Sequence, residues 1–213
     1  MSEADLHAMV EVHMTGYREE FNLSKALGRG FIRATYTFFL TDRKSFGFGV
    51  FVNDRLAGYV LGRLDYFSDD LNRYWPRIFA LARALICRPT LLADARVRKQ
   101  LFGSVGRVCA KAFRCNKPEP SLENAPSHAP GKTATISSTC VDHTLRVPHA
   151  SHYLLEAAEN LCRENGMQFL RASIHVGNTP CRFLHTLRKY AVDEVLTDEE
   201  SVYYYISFDE QTQ

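Results

Sequence analysis

The stretch TATISSTCVDHTLRVPHASHYLL, residues 133–155, decides how the fold is read. Its first part, Ala134 to Val141, is largely apolar and β-branched, which suits a buried strand. A polar turn from Asp142 to Ser151 follows. Then comes an amphipathic helix, with Tyr153, Leu154, Leu155, Ala158 and Leu161 on one side and Glu156, Glu159, Asn160 and Arg163 largely on the other. Gly166 is placed to end this helix in a left-handed cap. A second strand, Phe169 to Val176, runs through Gly177-Asn178 into a last helix that opens at Thr179-Pro180 with proline in its first turn. Strand, helix, strand, helix predicts two parallel strands joined by a right-handed crossover.

The turn is the chemically loaded part. A strand that feeds a helix leaves the first helical N–H groups unpaired, with the positive end of the dipole behind them. That is a ready anion site, and phosphate is its usual occupant. After the strand the chain reads Val141-Asp142-His143, then Arg146-x-x-His149-x-Ser151, then Leu154-Leu155. Downstream it reads Asn178-x-x-Cys181-x-x-Leu184-His185-x-x-x-Lys189-Tyr190. These spacings resemble the signature of the Gcn5-related N-acetyltransferase (GNAT) superfamily. That family carries Arg/Gln-x-x-Gly-x-Gly/Ala before paired leucines, and later Asn-x-x-Ala-x-x-Leu-Tyr-x-x-x-Gly-Phe. Here His149 and Ser151 stand at the loop glycines, and His185 stands at the tyrosine. Histidine is among the residues that tolerate the left-handed region, and Ser151 could offer a hydroxyl to a phosphate oxygen.

The resemblance implies an α/β (α+β) fold: a mixed, mostly antiparallel central sheet with helices on both faces and a parallel, splayed strand pair. It implies acetyl-CoA as co-substrate, held in the gap where the parallel strands diverge. Main-chain groups of Thr139, Cys140 and Val141 would pair with the pantetheine amides. Amides from Arg146 through Val147, His149, Ala150 and Ser151 to His152 would hold the pyrophosphate, with Arg146 adding charge. Asn178 and His185 would lie near the pantetheine arm and the thioester, and His185 would be the acid for the departing thiolate. No base is singled out: Asp65, Asp142 and a water chain all stay open. The strand position that often holds glutamate in relatives offers Ser137 and Ser138.

Upstream, Ser2 to Tyr17 reads as a helix with Leu6, Met9, Val10, His13 and Met14 on one face. Asn22 to Thr41 is a second helical region, interrupted by Gly28 and Gly30, whose aromatics Phe31, Tyr36, Phe38 and Phe39 suit a core. Phe46 to Val52 and Leu56 to Leu64 form a hairpin through Asn53-Asp54. It resembles the second and third strands of the same family, without the strand that usually precedes the first helix. At the other end, Ser201 to Phe208 predicts a strand antiparallel to the second strand of the central unit.

Between hairpin and central unit lies a helical insertion at about 68–117. From Leu71 to Lys117 there are eleven Lys/Arg against one acid, Asp94, or +10 in a chain whose net charge is +2. Basic residues interleaved with apolar ones suit an anionic ligand, surface or protein partner. They equally suit a helix that packs its apolar side on the sheet or on a dimer mate and leaves its arginines solvated. No nucleic-acid reader motif accompanies the charge, which disfavours that partner. Residues 116–132 hold four prolines among serine, asparagine and glycine, and predict a mobile loop.

A length of 213 residues and a 46% apolar composition fit a single domain, 1–213. Six cysteines without paired spacing read as free thiols. An acidic start without an apolar run, and no stretch of membrane-spanning length, point to the cytoplasm. His149 and His152 lack Cys or carboxylate partners at ligand spacing, so no metal is expected. Cys140 on a buried strand suits packing better than nucleophilic chemistry. The function expected is N-acetyl transfer from acetyl-CoA to an amine of a small, sugar-like or phosphorylated acceptor by direct attack. The alternative is a catalytically silent GNAT-fold binding module that offers its basic face to an anionic partner.

Overall fold

Apolar spacing at the start of the chain produces helix α1 (Leu6–Gly16), with Leu6, Met9, Val10, Val12 and His13 buried. The computed structural model describes residues 1–17, 22–64, 75–93, 95, 97–98, 132–145 and 147–208. After α1 come α2 (Leu23–Leu27) and α3 (Arg29–Thr41). The break between them is Gly28 alone, at φ 90°, a conformation that L side chains resist. Gly30 lies inside the first turn of α3 and interrupts nothing, which corrects the expectation of two breaks.

Strands β1 (Ser45–Val52) and β2 (Arg55–Arg63) form the expected hairpin, turning at Asn53 and Asp54 with φ 48° and 61°. Two left-handed residues make the turn whose twist matches its strands. Helix α4 (Trp75–Cys87) follows. The central unit then supplies β3 (Thr133–Val141), α5 (Ala150–Glu164), β4 (Phe169–His175) and α6 (Thr179–Leu187). A two-residue strand, β5 (Ala191–Val192), which no periodicity announces, precedes β6 (Ser201–Ser207).

The six strands make one sheet in the order β1-β2-β3-β4-β6-β5. Only β3 and β4 pair in parallel; every other neighbouring pair is antiparallel. The fold is therefore the mixed α/β arrangement expected, with β6 beside β4 as anticipated. Among the described residues no strand precedes α1.

Each sheet face carries its own core. On one, Leu154, Leu155, Ala158 and Cys162 of α5 pack against Ala134, Ile136, Leu170, Ala172 and Ile206. On the other, Leu6, Met9 and Val10 of α1 and Ile32, Tyr36 and Phe39 of α3 pack against Leu56, Tyr59, Leu61 and Cys140. Helix α4 belongs to neither. Its Leu81, Ala84 and Leu85 sit against Leu27 and Phe31, so this part of the insertion packs on α2 and α3 rather than on the sheet, and Arg83 and Arg88 are exposed. Gly166 ends α5 at φ 67°, as its position predicts.

No helix among the described residues is long and apolar enough to cross a membrane. The expectations for Arg146, Asp65, residues 116–131 and the remainder of the basic segment lie outside the described residues.

Candidate active site

The parallel ladder is short: Thr133 to Ile136 pair with Phe169 to Ala172, and there it stops. At the same point the register with β2 slips. Ser138 faces Leu61 while Ile136 faces Gly62, so Ser137 is a surplus residue, a β-bulge. The bulge reverses which side chains face which way. Before it, Ala134 and Ile136 belong to the core under α5; after it, Cys140 belongs to the core under α1.

Beyond the bulge β3 leaves β4 and opens a gap. The amide of Asp142 donates to Ala57 O at 2.7 Å, which fixes the alternation on the β2 side. Cys140, opposite Tyr59, therefore spends its main-chain groups on β2, whereas Thr139 and Val141 turn theirs into the gap. The Cys140 thiol donates to Val12 O at 3.3 Å and burial pushes its pKa up to about 12, a packed thiol rather than a nucleophile.

The gap leads to the start of α5. His149 is its N-cap residue, at φ 59° and ψ 12° in the left-handed region, with no side-chain cap bond. The first helical bond runs from Tyr153 to His149 O at 3.1 Å; before it the Ala150 amide makes a long turn bond to Val147 O at 3.4 Å, and those of Ser151 and His152 precede the ladder. Glycine needs no steric relief there and histidine does. His149→Gly is expected to raise stability by about 0.5–1 kcal/mol, the left-handed penalty less the extra backbone entropy glycine loses. A urea midpoint that moved down would mean the imidazole holds the turn together.

A cleft of about 710 Å³ runs from this turn between α5 and α6, lined by Val141, His143, Val147, His149 and Ser151 at one end and by Leu184, Arg188 and Lys189 along the other helix. Glu159, 3% exposed, lies across it. Arg188 grips the carboxylate with two bonds, Nε to Oε1 at 2.8 Å and Nη2 to Oε2 at 2.6 Å. The Tyr190 hydroxyl donates to Oε1 at 3.1 Å, and Arg188 Nη1 lies 2.9 Å from His152 Nδ1. The bond to Glu159 holds the Arg188 guanidinium above its ordinary pKa. Lys189, just past α6, is left-handed too, at φ 63°.

Asn178 caps α6, its Oδ1 accepting from the Cys181 amide at 3.3 Å. His185 is 2% exposed and wedged against the rings of Tyr190 and Tyr204. Its Nδ1 donates to Cys181 O at 2.9 Å, while Nε2 is buried without a partner among the described residues. Burial lowers its pKa and the carbonyl bond offsets only part of that. Asp142 is committed to its own turn: burial would raise its pKa, but bonds from the Thr144 hydroxyl and amide at 2.7 and 2.9 Å, with Arg55 nearby, hold it low. No group of three or more His, Cys, Asp or Glu side chains able to hold a metal occurs among the described residues.

No family model matches the chain, and no curated protein sequence matches it. Solved structures do. An N-acetyltransferase PaiA from Thermoplasma acidophilum, in complex with coenzyme A, is 12% identical over 98% of this chain and 96% of that one, with a TM-score of 0.56. The ribosomal-protein-S18-alanine N-acetyltransferase of Escherichia coli is 10% identical over 97% and 90%, with a TM-score of 0.55. The GNAT domain of PAT from S. lividans is 11% identical over 97% and 87%, with a TM-score of 0.57. The chain has the GNAT fold.

Within that GNAT fold the periodicity of α1 conceals a polar group. His13, Tyr36, Tyr59, Ser138 and Tyr17 form a connected hydrogen-bonded cluster on the sheet face opposite α5. The signal was present: a histidine on an otherwise apolar helical face, and tyrosines where phenylalanine would pack as well.

Proposed function

We propose that the protein is an N-acetyltransferase that takes acetyl-CoA and passes its acetyl group to an amine of a small acceptor. The observation that carries this is the bulged, parting β3, whose Thr139 and Val141 turn their main-chain groups into a gap that ends at the first turn of α5, where the Ser151 and His152 amides precede the helical ladder. Thr139 and Val141 would pair with the pantetheine amides as a strand edge does. The amides of Ala150, Ser151 and His152 would hold the pyrophosphate, flanked by Val147, His149 and the sequence neighbour Arg146. Asn178 would border the pantetheine arm. His185 would serve as acid to the thiolate through Nε2, which needs the ring protonated against the effect of its burial, since the neutral Nδ1–H is already committed to Cys181 O. The amine would attack the thioester carbon directly, forming C–N before C–S breaks.

The Glu159–Arg188 pair supports a second possibility, because it ties α5 to α6 across the cleft without help from any ligand. A catalytically silent module with this fold would keep that tie closed and use the basic insertion for an anionic partner. Thermal-shift titration separates the two. Acetyl-CoA at a hundred times its dissociation constant should stabilise the protein by about 2.7 kcal/mol. No shift at millimolar acetyl-CoA or CoA would leave the binding module. Given a shift, His185→Phe should slow CoA release by about 100-fold or more, the usual range for a proton donor. An unchanged rate would remove that role.

A further inference from the structure

The polar cluster under α1 reaches the gap through Ser138 and Tyr17 alone, because Tyr36 points its proton back to His13. His13 Nε2 lies 3.2 Å from Asn22 Oδ1, an acceptor that also takes the Lys25 amide at 3.2 Å, so Nε2 carries the proton and Nδ1 accepts. The Tyr36 hydroxyl is in close contact with Nδ1 and donates to it; the Tyr59 hydroxyl in turn contacts Tyr36. Ser138 Oγ lies 3.3 Å from the Tyr36 hydroxyl and 3.1 Å from that of Tyr17. Tyr17 has one acceptor without a proton of its own, Thr139 O at 2.7 Å, so Tyr17 donates there and receives from Ser138.

Thr139 is one of the residues whose carbonyl faces the gap rather than β2, which puts the Tyr17 hydroxyl inside the gap. Helix α1 is held tightly enough to keep it there. A Cβ added at Gly16 would stand 2.6 Å from Val141 O and 2.4 Å from the Cys140 sulfur, so the helix end lies directly on the open edge of β3. The His13 ring packs on Tyr17 at 4.5 Å between centroids. A half-buried donor that itself accepts from another hydroxyl is polarised toward whatever acceptor it meets.

We propose that Tyr17 is the donor to the oxyanion that forms when the amine attacks the acetyl thioester, with Ser138 as its positioning residue. This rests on the acetyl-transfer function proposed above. When pantetheine pairs along β3, one of its amides takes over the Thr139 carbonyl, and the Tyr17 proton turns to the thioester oxygen beside it. As the C–N bond forms, the carbonyl π pair moves onto that oxygen and Tyr17 stabilises it without giving up its proton. The pair returns as C–S breaks; the nitrogen loses its surplus proton to water, and the sulfur leaves with its electrons and takes up a proton, so the products are the amide and the free thiol. Burial raises the Tyr17 pKa well above that of a free phenol, which keeps the hydroxyl a donor throughout.

The test is Tyr17→Phe, assayed for CoA release with acetyl-CoA and the best amine of an acceptor panel, alongside direct titration of acetyl-CoA binding. The ring and its stack on His13 remain, so kcat should fall by about 100-fold while the acetyl-CoA dissociation constant stays within about threefold, since one oxyanion donor is typically worth 10²–10³ in kcat. Ser138→Ala keeps the donor but removes what feeds it, and should lose about tenfold in kcat, again without weakening binding. A kcat within threefold of wild type in Tyr17→Phe, or a fall matched by equal loss of acetyl-CoA binding, overturns the assignment. Were Tyr17→Phe to fail to fold, Ser138→Ala decides alone: an unchanged kcat overturns the assignment. Wild-type protein that released no CoA with any amine would sink the acetyl-transfer function itself, and this role with it.

Discussion

Arg188→Ala is expected to destabilise the protein by about 3–5 kcal/mol, the cost of leaving a buried carboxylate without its partner. Glu159 is 3% exposed and depends on two short bonds from Arg188 and one from Tyr190, with Arg163 farther away at 3.7 Å. Removing both charges is a different matter. Replacement of Glu159 and Arg188 together by methionine should recover most of the loss, because neither ion then has to be desolvated. Denaturant unfolding of the two variants checks this directly. A loss below about 1 kcal/mol for Arg188→Ala would mean that water reaches the pair and the cleft is not closed by it.

Acidification is expected to remove about 3 kcal/mol of stability between pH 6.5 and 4 through His13 alone. Burial lowers the His13 pKa from 6.5 to about 4, with Asn22 opposing and nearby Lys25 adding to the shift. The groups facing the ring are the Tyr36 and Tyr59 hydroxyls, Asn22 Oδ1 and the Tyr17 ring, none of them an anion. In that pH window the unfolded chain binds a proton that the native state refuses, so stability falls as pH falls. Above pH 6.5 the contribution is complete; below about 4 the loss levels off. His185, also lowered by burial, acts in the same sense. Urea titrations across this range should show a flatter profile for His13→Gln than for wild type. Parallel profiles would mean that the imidazole is solvated or already charged.

Much of this was legible before any coordinates. The apolar run at Ala134–Val141, the turn and the amphipathic helix gave β3, α5 and the helix-start amides, of which Ser151 and His152 precede the ladder while Ala150 bonds Val147 O. The left-handed demand at the first loop-glycine place was legible too, and His149 meets it at φ 59°, whereas Ser151 at the second is helical. What could not be read was anything set by register. Thr139 and Cys140 are adjacent and chemically similar in size, yet one faces the gap and the other faces β2, and only the pairing with Tyr59 decides which. Tyr17 and Ser138 lie 121 residues apart and meet only because α1 lies on the open edge of β3. Strand β5 is two residues long and owes its existence to β6, so no local pattern could announce it.

Ser137 has a role out of proportion to its chemistry. One uncounted residue shifts β3 out of phase with its neighbours, so the same strand offers hydrocarbon to one layer and, a step later, hydroxyls to the other. The extra step falls where the parallel ladder to β4 ends. The cavity of this protein is thus a matter of arithmetic along the backbone, and side-chain replacements that keep the count leave the opening in place.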